Sequence, residues 1–580
     1  MKKYIATLFL LLSMQLCAQE ILLLNGKKYR IADIESIAVT TNRPQLPDVL
    51  AAQDGYSIFA SALELTGIAD SISYWNKFGI YWCSNNTGRP GSSWETTHFY
   101  VPTECKIKYS VFAVTDSVFN TMGITNLEDL AMKCAEWYGG AADWYDYPGK
   151  GTYPISTGKD YTSVYNVLNM FVRYHIIKAG APVSRLLYEY DPTNPNWNFA
   201  FGGEPYDYYE TLLPHTLMKI WQPLYQNTGE STNIWINRWR ANNTLTDEVG
   251  TFGSDATHQI VKTGSLILRN QSDIRAFNGY IHTIDRPLVY DADVVNGVLN
   301  ERMRVDAGTI LHELSNNDIR FATTSEIAAM NQNGSFGDMT RGDMTRLPMD
   351  YFENFVCYSG PNTHFAWYTT GAWRAWESDQ MAIWGGDKGV MDFAFRLPSV
   401  PSGTYEIRII YPPMANTGVV YPYIGASPDT TGMQLLTLFD ATYPNSDIGE
   451  HRLSSGYLMP EQFTDYGVAS DKTLRSNGYL RAPASFSRGT LNQVKERVTS
   501  PAELVTISYS CRYEEGYGTT LLRRILGIVE IDQKKDNWLR LKMVLPAEEK
   551  WYERMGFSLD FVELVPVSVV NNTEFSEDWY

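Results

Sequence analysis

Apolar and polar positions follow one grammar in the first half of this chain and another in the second. Upstream of about residue 291 apolar residues recur three and four apart. Ser57-Ile58-Phe59 through Ala62-Leu63 to Thr66-Gly67-Ile68 predicts a helix with a glycine stop, and Leu127, Leu130, Ala131 and Cys134 form a second stripe. Val164, Leu168, Phe171 and His175 form a third, closing at Tyr174-His175. Between them Tyr109–Val114 reads as a buried strand that opens into a helix, with Thr115 as its cap and Asp116 placing negative charge at its positive end. Thr211-Leu212-Leu213 leads another strand. Asn278-Gly279 predicts a tight turn with positive φ, after which Tyr280, His282 and Ile284 alternate with Ile281, Thr283 and Asp285 until Pro287 ends the ladder.

From about Phe352 the period drops to two. Met391–Leu397 and Thr404–Tyr411 alternate around a turn at residues 398–403, and Trp538–Val544 is expected to pair as a hairpin with Phe557–Pro566. Repeated two-period strands predict an antiparallel β-sandwich with one polar face per sheet. Residues 292–351 read as a connecting segment in which Gly308–Leu314 is helix-compatible. Before residue 50, Ile21-Leu22-Leu23-Leu24 and the Asn25-Gly26 turn predict a small hairpin, with residues 40–47 as linker.

The order of motifs in residues 50–291 resembles the fasciclin-type adhesion domain. The opening helix, the Thr115-Asp116 strand end, Tyr174-His175, the Thr-Leu strand (with Pro214-His215 in place of the family's glycine) and the closing Asn278-Gly279-Tyr280-Ile281-His282-Thr283-Ile284-Asp285 strand follow one another as that pattern requires. The resemblance implies an α+β fasciclin-like domain, enlarged by insertions at about 136–162 and 187–208. Within it Thr115, Asp116, Tyr174, His175, Asn278, Gly279, His282 and Asp285 serve integrity rather than chemistry. The 352–580 region resembles galactose-binding-like jelly rolls, through Gly403-Thr404-Tyr405-Glu406-Ile407-Arg408 and Asp560-Phe561-Val562-Glu563-Leu564. Together the halves resemble Bacteroidota-type accessory proteins of outer-membrane uptake systems, which implies a polysaccharide ligand and, as partners, a transporter and its binding lipoprotein.

Lys2 and Lys3 before the apolar run Ile5–Leu16, with the small residue Ala18 behind it, predict a secretory signal peptide over residues 1–18. Cleavage after Ala18 is expected ahead of lipidation at Cys17, because Met14-Gln15-Leu16 supplies no small residue just before that cysteine. The run is too short to span a bilayer, so the mature chain is expected in the cell envelope or outside the cell, with no transmembrane segment. A formal charge of −17 without a compensating basic run argues against nucleic-acid partners. Cys134 sits on a core stripe, which argues against a disulfide framework and leaves open a single Cys83–Cys105 bridge flanking one fasciclin segment.

Sugar recognition needs flat rings beside hydrogen-bonding groups. Trp367, Trp373, Trp376 and Trp384, interleaved with Arg374, Glu377, Asp379 and Asp387, offer that combination, against the alternative that these rings fill the core. The insertions carry further aromatics: Trp137, Tyr138, Trp144, Tyr145, Tyr147 and Tyr153 in the first and Trp197 in the second. They read as binding loops on a scaffold or as clamps onto it. His312-Glu313 lacks the second histidine of a zinc-protease helix, and the Asp191–Asn198 loop lacks calcium-loop spacing. No nucleophile elbow or phosphate loop is present, and no cofactor is expected. The expected function is non-catalytic adhesion or glycan binding; the alternatives are a protein-only adhesion module and a glycan hydrolase with dispersed carboxylates.

Overall fold

Ile21–Leu24 and Lys27–Arg30 pair antiparallel, Ile21 opposite Arg30, as the Asn-Gly signal predicts; this hairpin belongs to a unit of residues 1–44, separate from the unit formed by 45–580. The structure is a computed structural model. It describes 21–24, 27–30 and most of 43–571, the longest stretches outside the described residues being 189–204, 241–259, 330–343, 442–474 and 482–521. Cys105, Trp373, Trp197 and Asp191–Asn198 lie outside the described residues, as do the side chain of Cys83 and most of the second insertion. Helices and strands are mixed, and most sheets are antiparallel.

In the first half of the larger unit, Gly279–Ile284 runs parallel to Tyr109–Val114, with Gly279 opposite Tyr109 and Ile284 opposite Val114. Ile274–Ala276 and Ile176–Ile177 complete this four-stranded sheet. Its central strands are buried on both faces, which is why Ile281 to Ile284 are all buried despite their alternation. The turn departs from the sequence expectation. Ala276 pairs with Gly279, so Phe277-Asn278 makes the turn and Gly279 already belongs to the strand. Its φ is +153°, and a Cβ there would lie 1.9 Å from the Tyr109 carbonyl oxygen, so close backbone approach, not the turn, requires glycine. Asn278 accepts from the Leu46 amide at 2.9 Å and donates to the Ile72 carbonyl, tying the first helices to this corner.

Two boundaries also move. The third helix spans Val167–Tyr174, capped by Asn166, whose Oδ1 accepts from the Leu168 amide, so Val164 lies outside it. Thr211–Leu213 belongs to the connection between Tyr206–Glu210 and Leu217–Trp221 rather than to a strand; the Thr211 and Thr216 hydroxyls meet at 2.6 Å there. Gly308–Leu314 is split into Ala307–Ile310 and Glu313–Asn316 by Leu311, whose ψ of 68° is not helical.

Three antiparallel sheets of six, five and four strands make up the second half. The expected closing hairpin does not form. Asn537–Val544 pairs with Val390–Leu397 and Val419–Gly425 in the six-stranded sheet, while the Phe557–Pro566 run divides at Asp560. Met555–Leu559 joins Gln380–Gly385 in the four-stranded sheet, and Phe561–Pro566 lies between Met303–Asp306 and Gly403–Tyr411 in the five-stranded one. Met303–Asp306 and Met344–Leu347 thus enter these sheets from upstream of residue 352. The apolar faces meet at Phe557, whose ring lies 6.1 Å from Phe393 and 6.0 Å from Tyr411. One continuous apolar cluster runs from Leu46 to Leu564, so both halves of the larger unit share a core.

On the second strand of the five-stranded sheet Glu563 accepts from Arg304 Nε at 3.1 Å and from Arg408 at 3.3 Å, with Arg523 at 3.4 Å. Burial by itself would raise this carboxyl; the guanidinium groups of Arg523, Arg304, Arg302 and Arg408 outweigh it and hold Glu563 well below the carboxylate range.

Candidate functional site

Alternation in Asn537–Val544 sends Leu539, Leu541 and Met543 into the core and Trp538, Arg540 and Lys542 to the opposite face of the six-stranded sheet. Val390–Leu397 and Val419–Gly425 do the same with Asp392 and with Tyr421 and Tyr423. The register sets these residues side by side. Val356, Ala394, Arg540, Tyr423 and Leu435 form one cross-strand row, and Asp392, Lys542 and Tyr421 the next. Four strand spacings of about 4.8 Å make the first row roughly 19 Å long.

The middle of this face is cross-linked by side chains. Arg540 donates from Nε to Asp392 Oδ1 and from Nη2 to Oδ2, both at 2.8 Å, a forked pair that flattens the guanidinium against the sheet. Its central carbon sits 3.9 Å from the centre of the Tyr358 ring. Tyr358 is 38% exposed and donates its hydroxyl to the Pro428 carbonyl at 2.6 Å, which Arg540 also reaches at 3.3 Å. The hydrogen bonds that Arg540 donates to Asp392 hold it further in its charged form, and partial burial raises the Tyr358 hydroxyl. Tyr421 and Tyr423 are half-buried, Leu435 is exposed, and Lys542 stands beside Tyr421. Flat rings thus stand beside fixed donors and acceptors, the combination that stacks on C–H faces and bonds to hydroxyls.

The tryptophans singled out from sequence occupy other positions. Trp367 and Trp376 are buried: Trp367 lies beside Phe365 and over Gly308, and Trp376 packs edge-on against Phe561 at 5.9 Å and near Tyr206 at 5.5 Å. They are core residues and present no face to a ligand, as large rings on inward positions do. Trp384 is half-buried on the four-stranded sheet, packed with Ala366, Tyr368 and Ala382 and covering Gly556. The face described above was missed because its residues are scattered over four separate segments; only the register unites them, although Tyr421-x-Tyr423 and Arg540-x-Lys542 at two-residue spacing were visible.

The motif residues of the first half hold structure. The Thr115 hydroxyl accepts from the Val118 amide at 3.3 Å, while Asp116 accepts from the Ser57 amide at 3.0 Å, the Ser57 hydroxyl at 2.7 Å and the Ile58 amide at 2.9 Å, capping the opening helix as well as charging its own. Tyr174 donates to the Leu217 carbonyl at 2.8 Å. His175 bonds through Nδ1 to the Phe171 carbonyl at 2.7 Å and accepts at Nε2 from the Leu288 amide at 3.0 Å, which fixes the Nδ1–H tautomer; burial lowers its pKa to about 3. His282, 3.1 Å from the Ala181 carbonyl, is lowered to about 4 by burial, against the opposing pull of Asp273. Asp285 accepts from the Leu266 amide at 2.7 Å.

In the first insertion the aromatics act as clamps. Tyr138, Tyr145 and Tyr147 are buried; the Tyr145 hydroxyl donates to the Pro214 carbonyl, and its ring meets Tyr290 at 5.2 Å. Tyr153 alone of the six named aromatics there is exposed, at 61%. Among the described residues no group of three or more His, Cys, Asp or Glu could hold a metal ion, and no helix is long and apolar enough to cross a membrane. No protein-family model matches the sequence, and neither does any curated protein.

Proposed function

We propose that this chain is an exported, non-catalytic binding protein that captures a polysaccharide on the outer face of its six-stranded sheet. The observation that carries this reading is the fixed set of Tyr358, Arg540 and Asp392 beside Tyr423, Tyr421 and Lys542. Preorganised rings and donors lose little entropy when a sugar chain settles on them, so even weak stacking yields net affinity. In this reading residues 50–291 are a fasciclin-like domain and the second half a jelly-roll β-sandwich. The parallel pairing of Gly279–Ile284 with Tyr109–Val114 and the buried, hydrogen-bonded His175 and Asn278 support the first assignment. The signal-like N-terminus supports export to the cell envelope, where an outer-membrane transporter and its binding lipoprotein would be the partners receiving the glycan.

The test is a screen of the whole mature protein against a broad set of soluble and insoluble polysaccharides, run beside Tyr423→Ala and Lys542→Ala. Saturable binding of at least one polysaccharide, weakened by both substitutions, supports the reading. Binding that neither substitution changes places the glycan elsewhere, and silence across the set from folded protein removes glycan capture.

A further inference from the structure

Where the first half meets the three sheets, a half-open cleft lies among Lys178, Tyr208, Glu210, Thr309, His312 and Arg396, with Val305, Ile310 and Pro398 as its apolar lining. It is built from both halves, and its lining includes none of Tyr358, Asp392, Tyr421, Tyr423, Arg540 and Lys542. Its charges are already matched. Arg396 donates to both oxygens of Glu210 and approaches Asp536 at 3.5 Å, while Lys178 donates to Glu353 at 2.8 Å, with His312 Nε2 3.5 Å from the other Glu353 oxygen. The lining therefore has no surplus charge to hold an ion, but its hydrogen-bonding capacity is not used up. Lys178 uses one of three ammonium protons on Glu353, and Thr309 donates to Asp207, keeping its oxygen lone pairs.

The second observation is Tyr208. It lines the cleft, is 1% exposed, and among the described residues its buried hydroxyl has no hydrogen-bond partner. A buried hydroxyl left unmade costs free energy, and such groups in folded proteins call for an explanation. A ligand that both donates and accepts supplies one.

We propose that this cleft is a second binding site, for a small uncharged hydroxylated molecule, a single sugar residue or a polyol, whose hydroxyls meet Tyr208, Lys178 and Glu210 while its C–H face lies on Val305, Ile310 and Pro398. The site stands independently of glycan capture on the sheet face.

The experiment is calorimetric titration of the full chain with free glucose, galactose, N-acetylglucosamine and inositol, with inorganic phosphate and acetate as the charged arm, on wild type, Tyr208→Phe and Tyr423→Ala. The expected result is saturable binding of at least one neutral compound, weakened about tenfold by Tyr208→Phe and unchanged by Tyr423→Ala. Melting of the unliganded protein checks the premise separately: Tyr208→Phe removes only an unpartnered hydroxyl and should leave the midpoint unchanged or higher. The proposal is overturned by silence of every neutral compound, by binding of phosphate or acetate in their place, by sugar binding that responds to Tyr423→Ala and not to Tyr208→Phe, or by a lower melting midpoint for unliganded Tyr208→Phe.

Discussion

Gln533, 1% exposed on the turn between two long strands, is the most informative single position for how the two halves hold together. Its Oε1 accepts from the Asp146 amide at 3.2 Å, and its Nε2 donates to the His215 carbonyl at 2.8 Å and to the Tyr290 hydroxyl at 2.9 Å. Its own carbonyl receives His215 Nδ1. Gln533→Ala removes the three side-chain bonds at about 1 kcal/mol each and leaves buried groups without them, so the loss should reach roughly 3–5 kcal/mol. Because one apolar cluster runs through both halves, this loss should appear as an earlier midpoint of a single unfolding transition with an unchanged denaturant slope. The assay is urea unfolding followed by fluorescence and by far-ultraviolet circular dichroism. Lys534→Ala, at an exposed neighbour, should stay within about 0.5 kcal/mol of wild type. A loss under about 1 kcal/mol for Gln533→Ala, or two separate transitions in the wild type, would refute the reasoning.

Gly279→Ala should abolish soluble expression, since its Cβ would sit 1.9 Å from the Tyr109 carbonyl oxygen within a central strand pair; a soluble variant with wild-type melting would contradict the account of that corner. His175 and His282 should titrate near about 3 and 4 in the folded protein, and nitrogen-detected NMR showing either near the ordinary 6.5 would count against their burial. Their folded pKa values are depressed, so below about 6.5 the unfolded chain takes up protons first. Each histidine therefore withdraws about 1.4 kcal/mol of stability per pH unit, until pH falls to its folded value. Urea midpoints of wild type and His175→Gln across that window measure this contribution, the variant losing less with acidification.

Local signals were legible where one segment decides its own conformation. The Thr115 cap, the His175 helix end and the burial of Cys134 all follow from neighbouring residues. Strand partnership was not legible. Trp538–Val544 and Phe557–Pro566 look like a hairpin because they are consecutive and alternating, yet Asp560 divides the second run between two sheets and register with distant strands decides the rest. The same gap hid the candidate face. Tryptophan density drew attention to residues 367–384, where Trp367 and Trp376 prove to fill the core, whereas Tyr358, Tyr423 and Arg540 become neighbours only through pairings across more than a hundred residues.

The most direct measurement of the central claim is the binding isotherm of the full chain for the polysaccharide that binds it best, repeated with Tyr423→Ala and Tyr358→Ala. Base or ring stacking on an aromatic contributes on the order of 1–3 kcal/mol, and a sugar ring stacked on Tyr423 should contribute at the lower end of that range. Each substitution should therefore weaken binding about five- to tenfold; Tyr423→Ala should leave the melting temperature unchanged, whereas Tyr358→Ala, which also removes the bond to the Pro428 carbonyl and the ring over Arg540, should lower it. Equal affinity for wild type and both variants would contradict the assignment of this sheet face as the glycan-binding surface.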